Sequence, residues 1–264
     1  RRTTRSSSFL AGMGSCRRRR KCSSSLCALP GGSSWKLLRS YAGYIDAGSD
    51  TQNGTTYQMH EHYMFIEAES DPATAPVLLW TNGGPGASSF FGLFVELGPF
   101  MLDDASLATA EFNASGVPTL WYNQYGWTQA ANLLIINSPP PVGYSYCDPA
   151  GPAGGGASCG AWDDTRTAEH NYDFLVNWFD AFPEYKDHDL YLSGESYAGI
   201  YVPTLAREIV RHQEQHPLRL RGFAMGDAVL GRGDVAGGSL FGIEFMVRPA
   251  LTLRNAAAGA QAQL

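Results

Sequence analysis

The residues Gly194-Glu195-Ser196-Tyr197-Ala198-Gly199 are where this chain could carry chemistry. A serine on a tight turn between a strand and a helix is lifted above the sheet, and the N-terminus of the new helix points at its hydroxyl. That arrangement is a nucleophile elbow, and the reaction it permits is acyl transfer through the serine oxygen. Small residues two positions to either side, here Gly194 and Ala198, let neighbouring backbone pack against the turn. Ala198 replaces the second glycine of the G-x-S-x-G pattern. By itself, then, the segment also reads as a plain strand-to-helix turn with a surface serine.

Acyl transfer further needs N–H donors aimed at the developing oxyanion. One is supplied by the residue after the nucleophile, here Tyr197, and another by a loop that follows an earlier strand. Asn82-Gly83-Gly84-Pro85-Gly86 is a loop of that kind, and its glycines let the backbone approach a substrate closely.

The elements that must hold these two segments are legible in the apolar pattern. Val77-Leu78-Leu79-Trp80 and Leu133-Leu134-Ile135-Ile136 are short apolar runs of the type buried on both faces of a sheet. Tyr41 to Ile45 and Tyr63 to Ala68 read as earlier strands, with a polar Gly/Asn/Thr turn at 48–56 between them. Asp163, Asp164 and Thr165 supply cap chemistry for a helix from Asp163 to Phe182, whose apolar positions recur every three or four residues until Pro183 stops it. A strand from Asp189 to Ser193 leads into the elbow, a helix from about Tyr197 to His212 leaves it, and Arg221 to Met225 reads as a fourth core strand. Strands alternating with helices imply a largely parallel α/β sheet.

Trp80 to Ser89 resembles the signature of the serine carboxypeptidases, as do Phe94 to Phe100, Ser138 to Tyr146, and Gly194 to Gly199 followed by Tyr201-Val202-Pro203. The resemblance runs from about Tyr41 to Val229. It implies an α/β-hydrolase-type sheet with flanking helices, the C-terminal part of that fold being missing. It also implies a serine-type peptidase that releases C-terminal residues, with Ser196 as nucleophile and the N–H groups of Gly84 and Tyr197 as oxyanion hole. Asn82, Gly83, Glu96 and Glu195 would bind the substrate's C-terminal carboxylate. Two clustered carboxyl groups resist double ionisation, so one stays protonated and can donate to that carboxylate, which favours acidic pH. Peptide or protein C-termini are the implied partners, no cofactor or metal is implied, and the implied setting is vacuolar, lysosomal or secreted.

Several residues depart from the family pattern. Ala87 stands where a disulfide cysteine is usual, Asn137 replaces Asp or Glu, Pro140-Pro141 replace Ala-Gly, and Asp227 replaces Asn. The family's catalytic Asp and His follow the serine much further along, whereas 68 residues follow Ser196 here. A serine hydroxyl is a weak nucleophile without a positioned base. His212 and His216 lie several turns beyond the elbow, and His60, His62, His170 and His188 read as surface or helix-face residues. The expectation is a chain that carries the nucleophile half of the site and does not itself turn over. Two alternatives stay open: a non-catalytic relative that binds peptide C-termini or a partner, and a carboxypeptidase-like acyltransferase.

Composition narrows the classes. The 264 residues are 44% apolar with a net charge of −6, enough for one sizeable core, and no apolar run approaches the ~18 residues of a membrane helix. Residues 1–40 hold ten Arg or Lys and no acid, while the remainder carries nine basic against 25 acidic residues. An acidic body argues against nucleic acid as the main ligand. Residues 1–40, including Arg17 to Lys21, read as a disordered, targeting or artefactual tail of transit-peptide composition, 41–230 as the partial hydrolase domain, and 231–264 as a divergent Gly/Ala-rich tail. Arg232-Gly233-Asp234 in that last stretch reads as a chance triplet. Of five cysteines, Cys16, Cys22 and Cys27 sit in the tail. Cys147 and Cys159 bracket a Gly/Pro loop and read equally as a disulfide or as free thiols. The sequons Asn53-Gly54-Thr55 and Asn113-Ala114-Ser115 lean towards the secretory route. A half sheet would expose apolar edges, so poor solubility is expected.

Overall fold

The structure, a computed structural model, describes residues 25–29, 36–149 and 159–230. Cys16, Cys22, the basic run Arg17 to Lys21, and residues 231–264 with the Arg232-Gly233-Asp234 triplet lie outside the described residues.

The chain begins with β1 (Ser25–Leu29), which pairs antiparallel with the start of β2 (Lys36–Gln52). Residues assigned from sequence to the tail therefore form the outer strands of the sheet. β2 continues into β3 (Thr55–Ile66) as one long antiparallel hairpin. The expected turn at 48–56 is shorter than its composition suggests. The chain reverses at Asn53-Gly54, with φ of 49° and 80°, a positive-φ pair of the kind hairpin turns demand. The Gly48 region instead marks a register shift between Asp46 and Ser49, where Gly48 N–H donates to Asp46 Oδ1 at 2.9 Å.

β4 (Val77–Thr81) follows, then a short π-helical turn (Gly92–Glu96), the small pair β5 (Phe100–Met101) and β6 (Trp121–Tyr122), and a short helix α1 (Ala110–Ser115) between them. β7 (Asn132–Asn137) is buried at every position, as its apolar run predicts. β8 (Tyr146–Asp148) pairs with β3. α2 (Asp164–Ala181) is capped by Asp163, whose side chain accepts from Arg166 N–H at 2.8 Å. β9 (Leu190–Glu195), α3 (Ala198–Arg211) and β10 (Leu220–Gly226) complete the order.

The main sheet runs β1-β2-β3-β7-β4-β9-β10, and its four last strands are mutually parallel. β1 to β3 are antiparallel additions. One face carries α2 and α3 over a core of Phe65, Leu79, Leu134, Phe174, Trp178 and Ile209. The other packs Met64, Trp80, Leu133 and Ile135 under Leu93 and Leu97. β10 forms where the sequence places it, with Leu220 in the core and Met225 packed against it. It is the outer strand among the described residues, with Phe223 46% exposed. No described helix is long and apolar enough to cross a membrane.

Candidate active site

β9 ends at Glu195, α3 begins at Ala198, and Ser196 occupies the turn between them at φ 58°. A non-glycine residue in that left-handed region is strained, and the surroundings hold it there. Ser196 N–H donates to Gly226 C=O at 3.0 Å, while its own C=O accepts from Gly199 N–H at 3.0 Å and Val229 N–H at 2.9 Å. Close packing explains the small residues: a Cβ at Gly194 would collide with Thr81 O and with Ala198 Cβ, and one at Gly199 would reach 2.8 Å from Ala228 Cβ. Ala198 therefore fits the second small position, with the glycine one residue later. Ser196 itself is exposed at the start of the α3 dipole.

The glycine loop lies against this turn. A Cβ on Gly83 would stand 2.8 Å from Glu195 O and would collide with the Tyr197 backbone. Gly84 adopts φ 111°, closed to side chains. Asn82, 2% exposed, is the junction. Its Nδ2 donates to Glu195 Oε1 at 2.8 Å, its Oδ1 accepts from Trp80 Nε1 (2.9 Å) and Gly92 N–H (3.0 Å), and its backbone N–H donates to Ser89 Oγ (3.0 Å). Gly92 opens the turn that carries Glu96. Burial, then the charge of Glu195, pushes the Glu96 carboxyl above the usual carboxylate range, against a hydrogen bond from Asn82. Glu96 Oε2 is buried without a hydrogen-bond partner. Asn82, Gly83, Gly84, Glu96, Glu195, Ser196 and Tyr197 thus converge on one end of β4 and β9.

Further residues brace the site. Tyr197 Oη donates to Asp164 Oδ1 at 2.9 Å, fixing the elbow to the start of α2. Ser88 Oγ donates to Asn137 Oδ1 at 2.7 Å, joining the glycine loop to the end of β7. Neither contact has a local signal, since each links segments far apart in sequence. The serine pair after the glycine loop is the one visible hint.

The histidines correct one expectation. His62 is not a surface residue but a buried one on β3, whereas His170 lies on the covered face of α2; both are 5% exposed. His62 lies among Tyr44, Phe90 and Tyr144, and burial pushes it down to about 4. His170 Nδ1 meets Ala47 O, His188 Nδ1 meets Ala75 O, His212 Nδ1 meets Glu208 O, and His60 stacks on Tyr146. Among the described residues no histidine hydrogen-bonds Ser196. Cys147 and Cys159 form a disulfide that joins β8 to the approach to α2. A depression of about 440 Å³ lined by Leu78, Tyr125 and Trp127 contains none of the site residues.

Residues 30–241 match the family model described as serine carboxypeptidase. The chain belongs to the serine carboxypeptidase family. It is 43% identical over 201 residues to the lysosomal protective protein of Mus musculus, covering 76% of this chain and 36% of that one. It is 41% identical over 198 residues to serine carboxypeptidase-like 34 of Arabidopsis thaliana, covering 73% and 35% respectively. The crystal structure of a prohormone-processing carboxypeptidase from Saccharomyces cerevisiae superposes with a TM-score of 0.59 at 26% identity, over 74% of this chain and 39% of that chain. The fold is that of the α/β-hydrolases. This chain spans little more than a third of the length of these relatives.

Proposed function

We propose that this chain carries the nucleophile and carboxylate-binding half of a serine carboxypeptidase site. In the complete site Ser196 Oγ attacks the carbonyl of the last peptide bond, and its proton passes to the leaving nitrogen through a base that the described residues do not supply. The N–H groups of Gly84 and Tyr197 receive the oxyanion, the C–N bond breaks, the C-terminal residue departs as an amine, and the acyl group stays on Ser196. Asn82, Glu96 and Glu195, beside Gly83, take the peptide's C-terminal carboxylate. One of the two acids must be protonated to donate to it, so acidic pH favours binding. The observation that carries this reading is the Asn82 Nδ2–Glu195 Oε1 bond of 2.8 Å, which places the glycine loop beside Ser196 and its neighbouring acids. The disulfide Cys147–Cys159 and the named relatives support an oxidising lysosomal, vacuolar or secreted setting.

The test is covalent labelling by a fluorophosphonate at about pH 5 and about pH 7, read by intact mass, with Ser196→Ala as control. Labelling that disappears in Ser196→Ala supports an activated nucleophile. A folded chain that stays unlabelled supports the second reading, a relative that binds peptide C-termini without turnover. That reading is favoured by the altered loop, where Asn137 and Pro140-Pro141 stand in place of the family's Asp or Glu and Ala-Gly.

A further inference from the structure

Glu61 lies on β3 with its side chain on the α2 face of the sheet, fully buried. The proposed reaction has no use for it. Its neighbours on that face, Met59, Tyr63 and Phe65, belong to the apolar core. Glu61 Oε2 has no hydrogen-bond partner. Glu61 Oε1 lies 3.1 Å from Ser138 Oγ, and the same Oγ is within hydrogen-bond reach of Asn171 Oδ1 on α2. Ser138 and Asn171 are each 1% exposed.

A serine hydroxyl carries one proton and cannot donate to two acceptors at once. With Asn171 presenting Oδ1 to Ser138, an ionised Glu61 would leave one of the two contacts without a proton, and in either amide orientation it would leave a bare carboxylate oxygen in an apolar core. A neutral Glu61 supplies the missing proton and takes the charge off Oε2, leaving it an uncharged carbonyl oxygen, which is far cheaper to bury than a carboxylate oxygen. We propose that Glu61 is a buried carboxylic acid in the folded chain, giving its proton to Ser138 Oγ while Ser138 gives its own to Asn171 Oδ1, so that β3, the end of β7 and α2 are tied at acidic pH and loosened as the pH rises.

The groups around Glu61 favour this state. From α2 it faces the half-buried Asp173, whose own surroundings include His170, Glu169, Asp46 and His212. β2 sets the apolar Ile45 opposite it, and β7 leads into Asn137 and Ser138, neither of which titrates in this range. Burial pushes the Glu61 carboxyl up to about 8; the Ser138 bond opposes this and the Asp173 charge adds to it. With the folded value above the unfolded one, the group costs nothing below the unfolded value near 4.5. Stability is lost as pH rises from there towards about 8, at a limit of about tenfold in the folded-to-unfolded ratio per pH unit. Ser138 adjoins Asn137, which holds Ser88 of the glycine loop, so the tie reaches the edge of the candidate site. None of this requires Ser196 to react.

The experiment is urea unfolding of the full chain from about pH 4.5 to about pH 8.5 for wild type, Glu61→Gln and Glu61→Leu. Glutamine reproduces the neutral donor, so Glu61→Gln should match wild type near pH 5 and exceed it progressively above. At pH 8 the folded-to-unfolded ratio should differ by at least tenfold. Glu61→Leu should lose the same slope. Parallel pH profiles for all three chains would overturn the proposal. Infrared spectroscopy gives a direct reading even if neither variant folds. In a Glu96→Gln, Asp173→Asn background, a carboxylic-acid carbonyl band that survives to about pH 7 supports a neutral Glu61, and its loss by about pH 6 refutes it.

Discussion

Asn82 Nδ2 donates to Glu195 Oε1 at 2.8 Å across 113 residues of sequence, joining the loop after β4 to the residue before Ser196. The same amide's Oδ1 accepts from Trp80 Nε1 and Gly92 N–H. One side chain therefore sets the spacing between the glycine loop, the turn that carries Glu96, and the nucleophile elbow.

Replacing that residue tests the junction. Asn82→Ala strands two buried donors, and each orphaned group costs about 1–3 kcal/mol. The expected loss is about 2–4 kcal/mol in urea unfolding. Asn82→Asp keeps the acceptor for Trp80 and Gly92 but sets a third carboxylate beside Glu96 and Glu195. It should recover part of the stability at about pH 4 and little at about pH 7.

Glu96 and Glu195 make a pH prediction for ligand binding. The Glu96 carboxyl is raised, so its neutral form persists above the usual carboxylate range and is lost as pH rises through the raised value. Calorimetry with an N-blocked dipeptide should show affinity falling as the pH rises above the ordinary carboxylate range. Glu96→Gln, which donates at every pH, should flatten that dependence. Equal pH profiles for both chains would remove Glu96 from the carboxylate site.

Much of this arrangement is legible in sequence because it rests on local rules. Leu133 to Ile136 announces a strand buried on both faces, and Asp163 announces a helix start, since apolar run length and cap chemistry act within a few residues. The elbow and the glycine loop are recognisable for the same reason. What escaped depends on distant partners. The polar run His60-Glu61-His62 lies just before the strand read at Tyr63 to Ala68, yet Glu61 and His62 are both buried, because α2 covers one side of β3 and Phe90 and Tyr144 cover the other. The polar stretch 48–56 reads as a turn, although cross-strand partners such as Thr51 and Thr56, 2.8 Å apart at their hydroxyls, extend it as strand.

Arg166 should be a stability determinant outside the site. Its Nε and Nη2 bind the two carboxylate oxygens of Asp50 at 2.5 and 2.8 Å, and it also donates to Cys159 O and Ala161 O. The guanidinium is 7% exposed and Asp50 30% exposed. Asp50→Ala leaves a buried cation unpaired, a change that costs about 3–5 kcal/mol when both partners are buried. Solvent access at Asp50 lowers the expectation to roughly 2–3 kcal/mol. The Asp50 carboxyl is lowered, first by its hydrogen bond to Arg166, so this contribution is complete above the ordinary Asp value and lost as pH falls through the lowered one. Wild type and Asp50→Ala should therefore converge in stability only once the pH has fallen below the lowered carboxyl value.

The Cys147–Cys159 disulfide closes a 12-residue separation. Closing a loop of that size contributes about 2–4 kcal/mol. Cys147→Ser should lower stability by that amount, and intact mass after alkylation of the urea-unfolded, unreduced chain should show the pair unmodified, since disulfide sulfurs carry no thiol to alkylate. Alkylation of the pair without reductant would show free thiols.

Gly83 offers the sharpest steric test of the elbow. Its conformation is open to any residue, so the obstacle to a side chain is contact alone: a Cβ would stand 2.8 Å from Glu195 O and 2.9 Å from Tyr197 Cα. These are backbone atoms that a rotamer change cannot move, so either the glycine loop or the elbow must shift. Gly83→Ala should cost about 1–3 kcal/mol, the usual range for overpacking. It should also separate Gly84 N–H from Tyr197 N–H and so disrupt any oxyanion site they form. If wild type labels with a fluorophosphonate, Gly83→Ala should label at least tenfold more slowly while Ser196 stays in place. If wild type does not label, the stability loss still tests the contact, and an unchanged urea midpoint would mean that the glycine loop does not pack on the elbow as described.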